Sequence, residues 1–217
     1  MLEPLILSLK VALLATLLVA VVGTAVAFAL ARHEFRGKGL VEAALLLPMI
    51  LPPTVTGYYL VILLGRHGFI GESLFRWTGW SVMFTWQAAV VAASVVSLPI
   101  MIRTAQSAIG SVDPTMVDSS TMLGYSWTET SLHVVLPLAW PGILAGVILT
   151  FTRAIGEFGA TLMLAGNIPG RTATMPLAIY GHAASGEWRQ AHLLVALLTV
   201  LSVTFLLAAR RVSRRVV

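Results

Sequence analysis

Residues 134–152 read VVLPLAWPGILAGVILTFT, and this run contains no charged side chain. A helix needs about 20 mostly apolar residues to cross the hydrocarbon core of a bilayer. Because backbone groups cannot stay unpaired in lipid, an isolated spanning segment of this kind has to be helical. The run therefore predicts a membrane-spanning helix, which we extend to about 134–155.

Four further runs of the same character lie along the chain. They predict spans at about 5–31, 40–64, 82–103 and 191–209. The 217 residues are 58% hydrophobic and 11% charged, whereas an ordinary soluble domain is about 25% charged. Helices buried in a soluble protein would need polar faces, which these runs lack. We expect an all-α integral membrane protein with about five transmembrane helices, forming a single domain over 1–217.

Several chemistries are excluded by what the sequence lacks. It contains no cysteine, and its five histidines are scattered without the spacing of metal ligands. No G-x4-G-K-[ST] nucleotide motif occurs. We therefore expect no cofactor, no metal site and no catalytic residue in this chain, so any ATP hydrolysis has to come from a partner.

Basic residues indicate which side of the membrane each loop occupies. Cytoplasmic loops carry an excess of Lys and Arg, and such residues follow the first run and fill the C-terminal tail. They are Arg32, Arg36, Lys38, Arg210, Arg211, Arg214 and Arg215. With five spans, both segments share a side with the loop between the third and fourth runs. We predict an outer N-terminus and a cytoplasmic C-terminus. The first run, which lacks the basic start of a signal peptide, is expected to remain as a span.

Prolines interrupt the predicted spans, above all in LPMILPPTVTG at residues 47–57. Proline removes a backbone hydrogen bond and kinks a helix. Membrane helices tolerate such breaks where neighbouring helices or a cavity satisfy the freed groups. We therefore predict that Pro52 and Pro53 lie along a path through the protein and give the second span two arrangements.

A polar insert at about 112–133 separates the third and fourth runs. Asp113, followed by a proline, is typical of a helix N-terminus, and Gly124 suits the left-handed position after a helix. Ser126 and Glu129 form the S-x-x-E pattern of a capping box. The insert is therefore predicted to form two short helices.

Three interpretations fit this insert: a solvated connection, a DNA-binding helix-turn-helix, and a docking helix for a partner. Loops of this length without a role are uncommon. DNA binding needs cations, and residues 104–152 contain no Lys or Arg, so we expect no nucleic acid partner. The first helix would place Met116, Ser120 and Leu123 on one face, which favours docking.

Two charges follow the uncharged core of the fourth run. Arg153 and Glu157 are four residues apart, so on a continuous helix they share a face. Charges at membrane depth are costly and are usually paired or turned toward a cavity. They either line a translocation path or its gate, or form a structural pair that locks the helix. Gly159 beside them suits a bend or a close helix crossing.

The insert also carries a family signal. It resembles E-A-A-x3-G-x9-I-x-L-P, the coupling-loop pattern of ABC importer permeases, with Asp-Ser-Ser in place of Glu-Ala-Ala and Val in place of Ile. The aligned residues are Asp118, Ser119, Ser120, Gly124, Val134, Leu136 and Pro137. In that family the loop docks in a groove of an ATPase subunit. The resemblance implies that these residues couple the chain to an ABC ATPase. It also implies the MetI-like permease fold of type I importers.

A second resemblance covers almost the whole chain. Residues 45–71 and 152–180 are similar to permeases of the molybdate, sulfate and tungstate branch, and to the molybdate type above the others. This implies translocation of a tetrahedral oxyanion, with sulfate or tungstate as alternatives to molybdate. It also implies a second copy of the chain, a periplasmic or lipid-anchored binding protein, and surrounding lipid of a prokaryotic plasma (inner) membrane. An ion-gradient-driven secondary carrier remains an alternative from another class.

Overall fold

The computed structural model describes the backbone of residues 2–216, but not the side chains of Arg210 and residues 212–216. The described part is helical throughout and contains no strand. Its elements are α1 (Leu2–Arg32), α2 (Lys38–Ile50), α3 (Pro53–Leu64), α4 (Gly71–Thr78), α5 (Trp86–Gly110), α6 (Pro114–Met122), α7 (Trp127–Thr130), a π turn (Ser131–Val135), α8 (Leu136–Ile155), α9 (Gly159–Ala165), α10 (Met175–Ala184) and α11 (Trp188–Val216).

Helix α5 lies at the centre and packs against both α1 and α8. Its start is fixed by Thr85, whose hydroxyl accepts the N–H of Ala88 at 3.2 Å. The contact with α1 is built from small buried residues, among them Ala92 on α5 and Ala12 and Ala15 on α1. Small side chains let helix backbones approach closely, which is how helices associate where lipid supplies no hydrophobic driving force.

Within the described residues 2–216, four helical segments are long and apolar enough to cross a membrane, and the pair α2–α3 makes a fifth if it counts as one span. That pair differs from the single span predicted at 40–64, because α2 and α3 meet at an angle of 114°. The break falls where Pro52 and Pro53 were expected to interrupt the helix, and Pro53 opens α3. No residue of α2 is buried in the isolated chain, whereas α3 packs against α9.

The fourth span begins earlier than predicted. Helix α7, the π turn and α8 form one helical segment of 29 residues, Trp127–Ile155. The second half of the insert is therefore the first part of this span, and the expectation of a separate second short helix was wrong. Pro137 explains the π turn, since its ring collides with the carbonyl of residue 133 in a regular helix. The π turn relieves this collision with a wider hydrogen bond, in which the N–H of Leu136 donates to the carbonyl of Ser131, five residues earlier.

The chain after α8 turns back through two short helices. Helix α8 ends at Gly156, and α9 and α10 lead to α11, whose membrane-spanning part covers Trp188–Ala209. Helix α11 is mostly exposed and contacts the rest chiefly through α10 and through Phe205, whose ring lies 4.2 Å from that of Phe151. The exposed apolar faces of α11 and α1 fit contact with lipid.

Candidate functional site

Helix α6 is held at both ends by the predicted caps. The Asp113 carboxylate accepts the N–H of Thr115 at 2.9 Å, and this bond keeps the pKa of Asp113 below its usual range. At the other end Gly124 has φ +88°, and its N–H donates to the carbonyl of Thr121 at 3.0 Å. Only glycine takes this left-handed conformation without strain. The helix and its two caps are therefore as the sequence predicted.

The capping box after α6 is also present. The backbone N–H of Ser126 donates to the Glu129 carboxylate at 2.8 Å, and the N–H of Glu129 points back to the Ser126 hydroxyl at 3.4 Å. This box opens the 29-residue helix rather than a short one. The cap consequently sets where the long helix begins, directly after the turn that follows α6.

One buried hydrogen bond joins α6 to the long helix. The Ser120 hydroxyl lies 2.9 Å from the Thr130 hydroxyl, and both residues are buried. Val117 packs beside it against the core around α5. Separating this pair would take the hydrogen bond from the buried Thr130 hydroxyl, while the Ser120 hydroxyl would keep its bond to the carbonyl of Val117 at 2.7 Å. Helix α6 and the start of the long helix should therefore move together.

Three large apolar side chains are exposed on α6 and at its C-terminal end, among polar ones such as Thr115, Asp118 and Thr121. Met116, Met122 and Leu123 have exposed fractions of 54%, 88% and 79%. The expected stripe of Met116, Ser120 and Leu123 is thus divided, because Ser120 turns inward while its two neighbours stay outside. Met122 was missed from the sequence, since it falls off that stripe and only the position of the protein body shows that it points outward.

The residues aligned with the coupling pattern do not form one surface. Asp118 and Ser119 are exposed on α6, whereas Ser120 is buried. Within the π turn and the start of α8, Val134 and Leu136 are half-buried and Pro137 is exposed. The exposed part of α6 can meet a partner, while the buried Ser120 and the π turn connect that surface to the membrane helix.

The two charges form an ion pair across the end of α8. Nη1 of Arg153 lies 2.8 Å from Oε2 of Glu157. Glu157 follows the helix end at Gly156, so the pair does not lie on a continuous helix as expected. Its Oε1 accepts the N–H of Ala160 at 2.8 Å, which caps α9. The Glu157 side chain is 2% exposed and that of Arg153 is 31% exposed.

Helices α3 and α9 cross in very close contact beside this pair. A Cβ added to Gly159 would lie 2.9 Å from Cβ of Pro53. A Cβ added to Gly57 would lie 2.8 Å from the Cα of Ala160. Both positions at this crossing require glycine, because a larger side chain would collide with the facing helix. Gly57 was not recognised from the sequence. The predicted residues Pro52, Pro53, Arg153, Glu157 and Gly159 are brought together here, where two interrupted helices begin.

Several apolar helices are long enough to span a membrane, and a short exposed helix is joined to one of them. This architecture is compatible with a transporter permease. The chain belongs to the family described as "Binding-protein-dependent transport system inner membrane component", which matches residues 19–217. It is accordingly a transport subunit of an ABC importer in the plasma membrane, and ATP hydrolysis belongs to a separate subunit.

Similar proteins support the same assignment. The molybdenum transport system permease protein ModB of Escherichia coli K12 is 39% identical over 98% of this chain and 94% of that protein. A Chlorella vulgaris protein named for sulfate transport is 33% identical over 90% of this chain and 76% of its own length. The resemblance to molybdate-type permeases is thereby confirmed.

Solved structures agree on the fold. A bacterial ABC transporter involved in alginate import matches 99% of this chain and 79% of its own, with a TM-score of 0.79 at 15% identity. The methionine ABC transporter MetNI in an inward-facing conformation matches 99% of this chain and 93% of its own, with a TM-score of 0.73 at 16% identity. These likenesses confirm the predicted MetI-like permease fold.

Proposed function

We propose that this chain carries a tetrahedral oxyanion across the membrane and that molybdate is its substrate. The higher identity to the E. coli molybdenum permease than to the C. vulgaris sulfate relative favours molybdate over sulfate. Tungstate, which has the same charge and shape, is the second candidate. Membership of a binding-protein-dependent family gives no support to the ion-gradient-driven carrier.

The exposed α6 carries the proposal for coupling. The short helix exposes Met116, Met122 and, at its end, Leu123 beside polar side chains, and an exposed helix of this kind can dock in a groove on a partner. An ABC ATPase is the partner proposed here. The aligned residues of the coupling pattern then divide into a docking group, Asp118 and Ser119, and a group that holds the loop in shape.

The route from α6 to the membrane interior is short and stiff. A pull on α6 would pass through the Ser120–Thr130 bond to a helix of 29 residues, or about 44 Å at 1.5 Å per residue. That helix ends at Gly156, directly beside the crossing of α3 and α9. The break at Pro52 and Pro53 is the proposed two-state element, because neither flanking helix continues into the other.

The crossing is the proposed translocation path or gate. Arg153 retains an exposed fraction of 31%, so its guanidinium can face a passing dianion, whereas Glu157 is enclosed and acts as its anchor. Pro52 and Pro53 are exposed in the single chain. A path bounded by them needs a second wall, which supports a second copy of this chain as partner.

The proposed path has too few free hydrogen-bond donors to bind an oxyanion tightly, which supports a separate binding protein as a partner. A tight oxyanion site needs several convergent donors, but the guanidinium at the crossing is already paired with Glu157. A periplasmic or lipid-anchored binding protein would then supply affinity and selectivity. An outer N-terminus would put α6 in the cytoplasm, where ATP is. The tail arginines used for that orientation include Arg210, Arg214 and Arg215, whose side chains lie outside the described residues.

The docking proposal is tested by placing a charge on the α6 face. In the permease co-expressed with its cognate ATPase, Leu123→Asp should abolish co-purification of the ATPase. Trp77→Asp is the matched control, since Trp77 is a large exposed side chain, 89% exposed, on α4. Retention of the ATPase by Leu123→Asp, or equal loss in both variants, would contradict docking through α6.

The substrate is tested by uptake into proteoliposomes that hold the permease, the ATPase and the cognate binding protein. Labelled molybdate should accumulate only with internal ATP, and excess tungstate should compete much more strongly than excess sulfate. Uptake of labelled sulfate at an equal rate would refute molybdate selectivity while leaving the permease assignment intact.

A further inference from the structure

A cavity of about 610 Å³ lies between α5 and α8, at the end of α5 that leads into α6. We call it the α5–α8 pocket. Its α8 wall is apolar and includes Leu138 and Pro141. Its α5 wall is polar and consists mainly of Arg103, Thr104, Ser107 and Ser111. None of the lining residues belongs to the crossing of α3 and α9, which lies near the opposite end of α8.

The polar wall is a continuous stripe on α5. Arg103, Ser107 and Ser111 follow one another at intervals of four residues, so they share one face of the helix and its C-terminal cap. Beside this stripe the two helices touch, since a Cβ added to Gly142 would collide with the Cβ of Ala108. The pocket is therefore bounded by two helices in close contact rather than by loops.

The position of Arg103 is unusual for a cation. It is the only charged residue of α5, which is 25 residues long, and it lies seven residues before the helix ends at Gly110. A helix of this length exceeds a hydrocarbon core of about 30 Å by only about 8 Å, so the Cα of Arg103 lies at membrane depth. Charges at this depth usually face a partner or a polar cavity. Arg103 is exposed, and it takes part in no ion pair with the other described residues.

Two hydroxyls of the pocket already donate their protons. Thr104 donates to the carbonyl of Ile100 and Ser111 to that of Ala108, each at 2.8 Å. The exposed Ser107 lies between these two positions, and its hydroxyl can donate into the pocket. The wall therefore offers two donors one helical turn apart, a guanidinium and a hydroxyl.

One acid lies on the other side of Arg103. Glu42 of α2 lines a small adjoining cavity together with Arg103, and its carboxylate accepts an N–H of Gln106 at 2.8 Å. Glu42 does not line the α5–α8 pocket itself. Among the described residues, the guanidinium is thus the only charged group that lines the pocket.

A guanidinium and a hydroxyl at this spacing match an acceptor that carries negative charge on several oxygens. We propose that the α5–α8 pocket binds a tetrahedral oxyanion at Arg103 and Ser107. A water molecule occupies about 30 Å³ in the liquid, so the pocket has room for such an anion with part of its hydration shell. The site is weak, because it has one charge and because the C-terminal end of α5 carries partial negative charge. A weak site suits a ligand that has to leave again.

Two sources carry this oxyanion group. One is the free oxyanion proposed above as the substrate, and this source rests on the proposed function. From Pro141 to Gly156, beside the crossing, is about 22 Å along α8 at 1.5 Å per residue, so the pocket would be a second stop at the α6 end. The other source is the phosphate of a membrane lipid.

The charge of the pocket is tested with a single thiol. The chain contains no cysteine, so Ser107→Cys gives the permease one reactive position. The permease–ATPase complex in phosphatidylcholine nanodiscs is treated with an anionic or a cationic methanethiosulfonate reagent, and the mass of the permease chain reports the rate. Adding Arg103→Gln should lower the ratio of anionic to cationic rates about tenfold. Arg36→Gln is the matched control, because it removes the same charge from an exposed position that does not line the pocket.

Protection of the same thiol identifies the source. Modification by an uncharged thiol reagent should be slowed by excess tungstate in phosphatidylcholine nanodiscs if the ligand is free. It should be slowed by phosphatidylglycerol nanodiscs without tungstate if the ligand is a lipid phosphate. Either protection should be lost with Arg103→Gln and kept with Arg36→Gln. A reagent ratio that is the same with and without Arg103, or no protection in either arm, would overturn the proposal. Normal molybdate uptake beside such a result would reject the pocket and leave the proposed function intact.

Discussion

Neutralising Glu157 tests the role of the buried ion pair most directly. Glu157→Gln keeps the shape of the side chain and keeps an oxygen that can accept the N–H of Ala160. With that oxygen held by Ala160, the amide NH2, which is a donor, replaces the oxygen that faces Arg153. The cap on α9 should therefore survive, while the link from the end of α8 to the start of α9 is lost.

The magnitude follows from the burial of the two partners. Breaking a fully buried ion pair from one side costs about 3–5 kcal/mol. Glu157 is 2% exposed but Arg153 is 31% exposed, so water can take over part of the guanidinium. We therefore expect a smaller loss, about 1–3 kcal/mol, in the free energy of unfolding. The crossing of α3 and α9 should loosen, and less substrate should enter per ATP hydrolysed.

The assay compares thermal stability, uptake and ATPase rate in proteoliposomes. Glu72→Gln is the matched control, because Glu72 pairs with Arg76 at the same spacing on the exposed helix α4. Exposed pairs of this kind contribute about 0–1 kcal/mol, so uptake should be unchanged. Removing both charges, in Arg153→Met with Glu157→Gln, should restore part of the stability, since no charge is then left unpaired.

Two outcomes would refute this reasoning. The first is unchanged uptake and unchanged ATPase coupling in Glu157→Gln, which would mean that the pair is unimportant to the moving part of the protein. The second is a double variant whose loss of stability, measured from the unmodified protein, equals the sum of the losses of the two single variants. Additivity would mean that the two charges do not interact, despite the distance of 2.8 Å between them.

Two further predictions concern the crossing and the docking helix. Gly57→Ala should lower the free energy of unfolding by about 1–3 kcal/mol, because the added methyl group forces α3 away from α9. Gly39→Ala is the control and should have no such effect, since a Cβ at Gly39 meets nothing within 4 Å. Equal melting temperatures of the two variants would contradict a tight crossing. Asp113→Ala should weaken ATPase binding several-fold by fraying α6, and Asp113→Asn should retain it. Because the pKa of Asp113 is lowered, its cap is present above the ordinary pKa and is lost only as pH falls through the lowered value. The alanine effect should therefore be the same at pH 6 and pH 8 in a binding titration.

The helix ends around the insert show how much of the site can be read from the sequence. Asp113, Gly124 and the pair Ser126–Glu129 act within a few residues of themselves, so their caps form as predicted. The extent of the second helix could not be predicted in the same way. Proline favours the first turn of a helix, but here the helix continues through Pro137 by widening into a π turn just before it.

Long-range contacts account for what the sequence did not reveal. Gly57 and Ala160 are more than a hundred positions apart, and nothing local marks Gly57 as the point where two helices cross. Ser120 and Met122 are only two residues apart, but Ser120 is buried against Thr130 whereas Met122 is exposed. Which side of α6 meets the protein is set by how the flanking long helices pack.

The sequence by itself determined that this chain is a helical membrane protein with a docking insert, because span length and helix capping depend on local composition and local hydrogen bonds. The tertiary structure alone decided that Glu157 leaves the helix of Arg153 to cap another, and that α2 and α3 meet at 114°. It also decided which apolar residues of α6 remain exposed. These features depend on the packing of distant segments, where small residues allow contacts that local preferences do not specify.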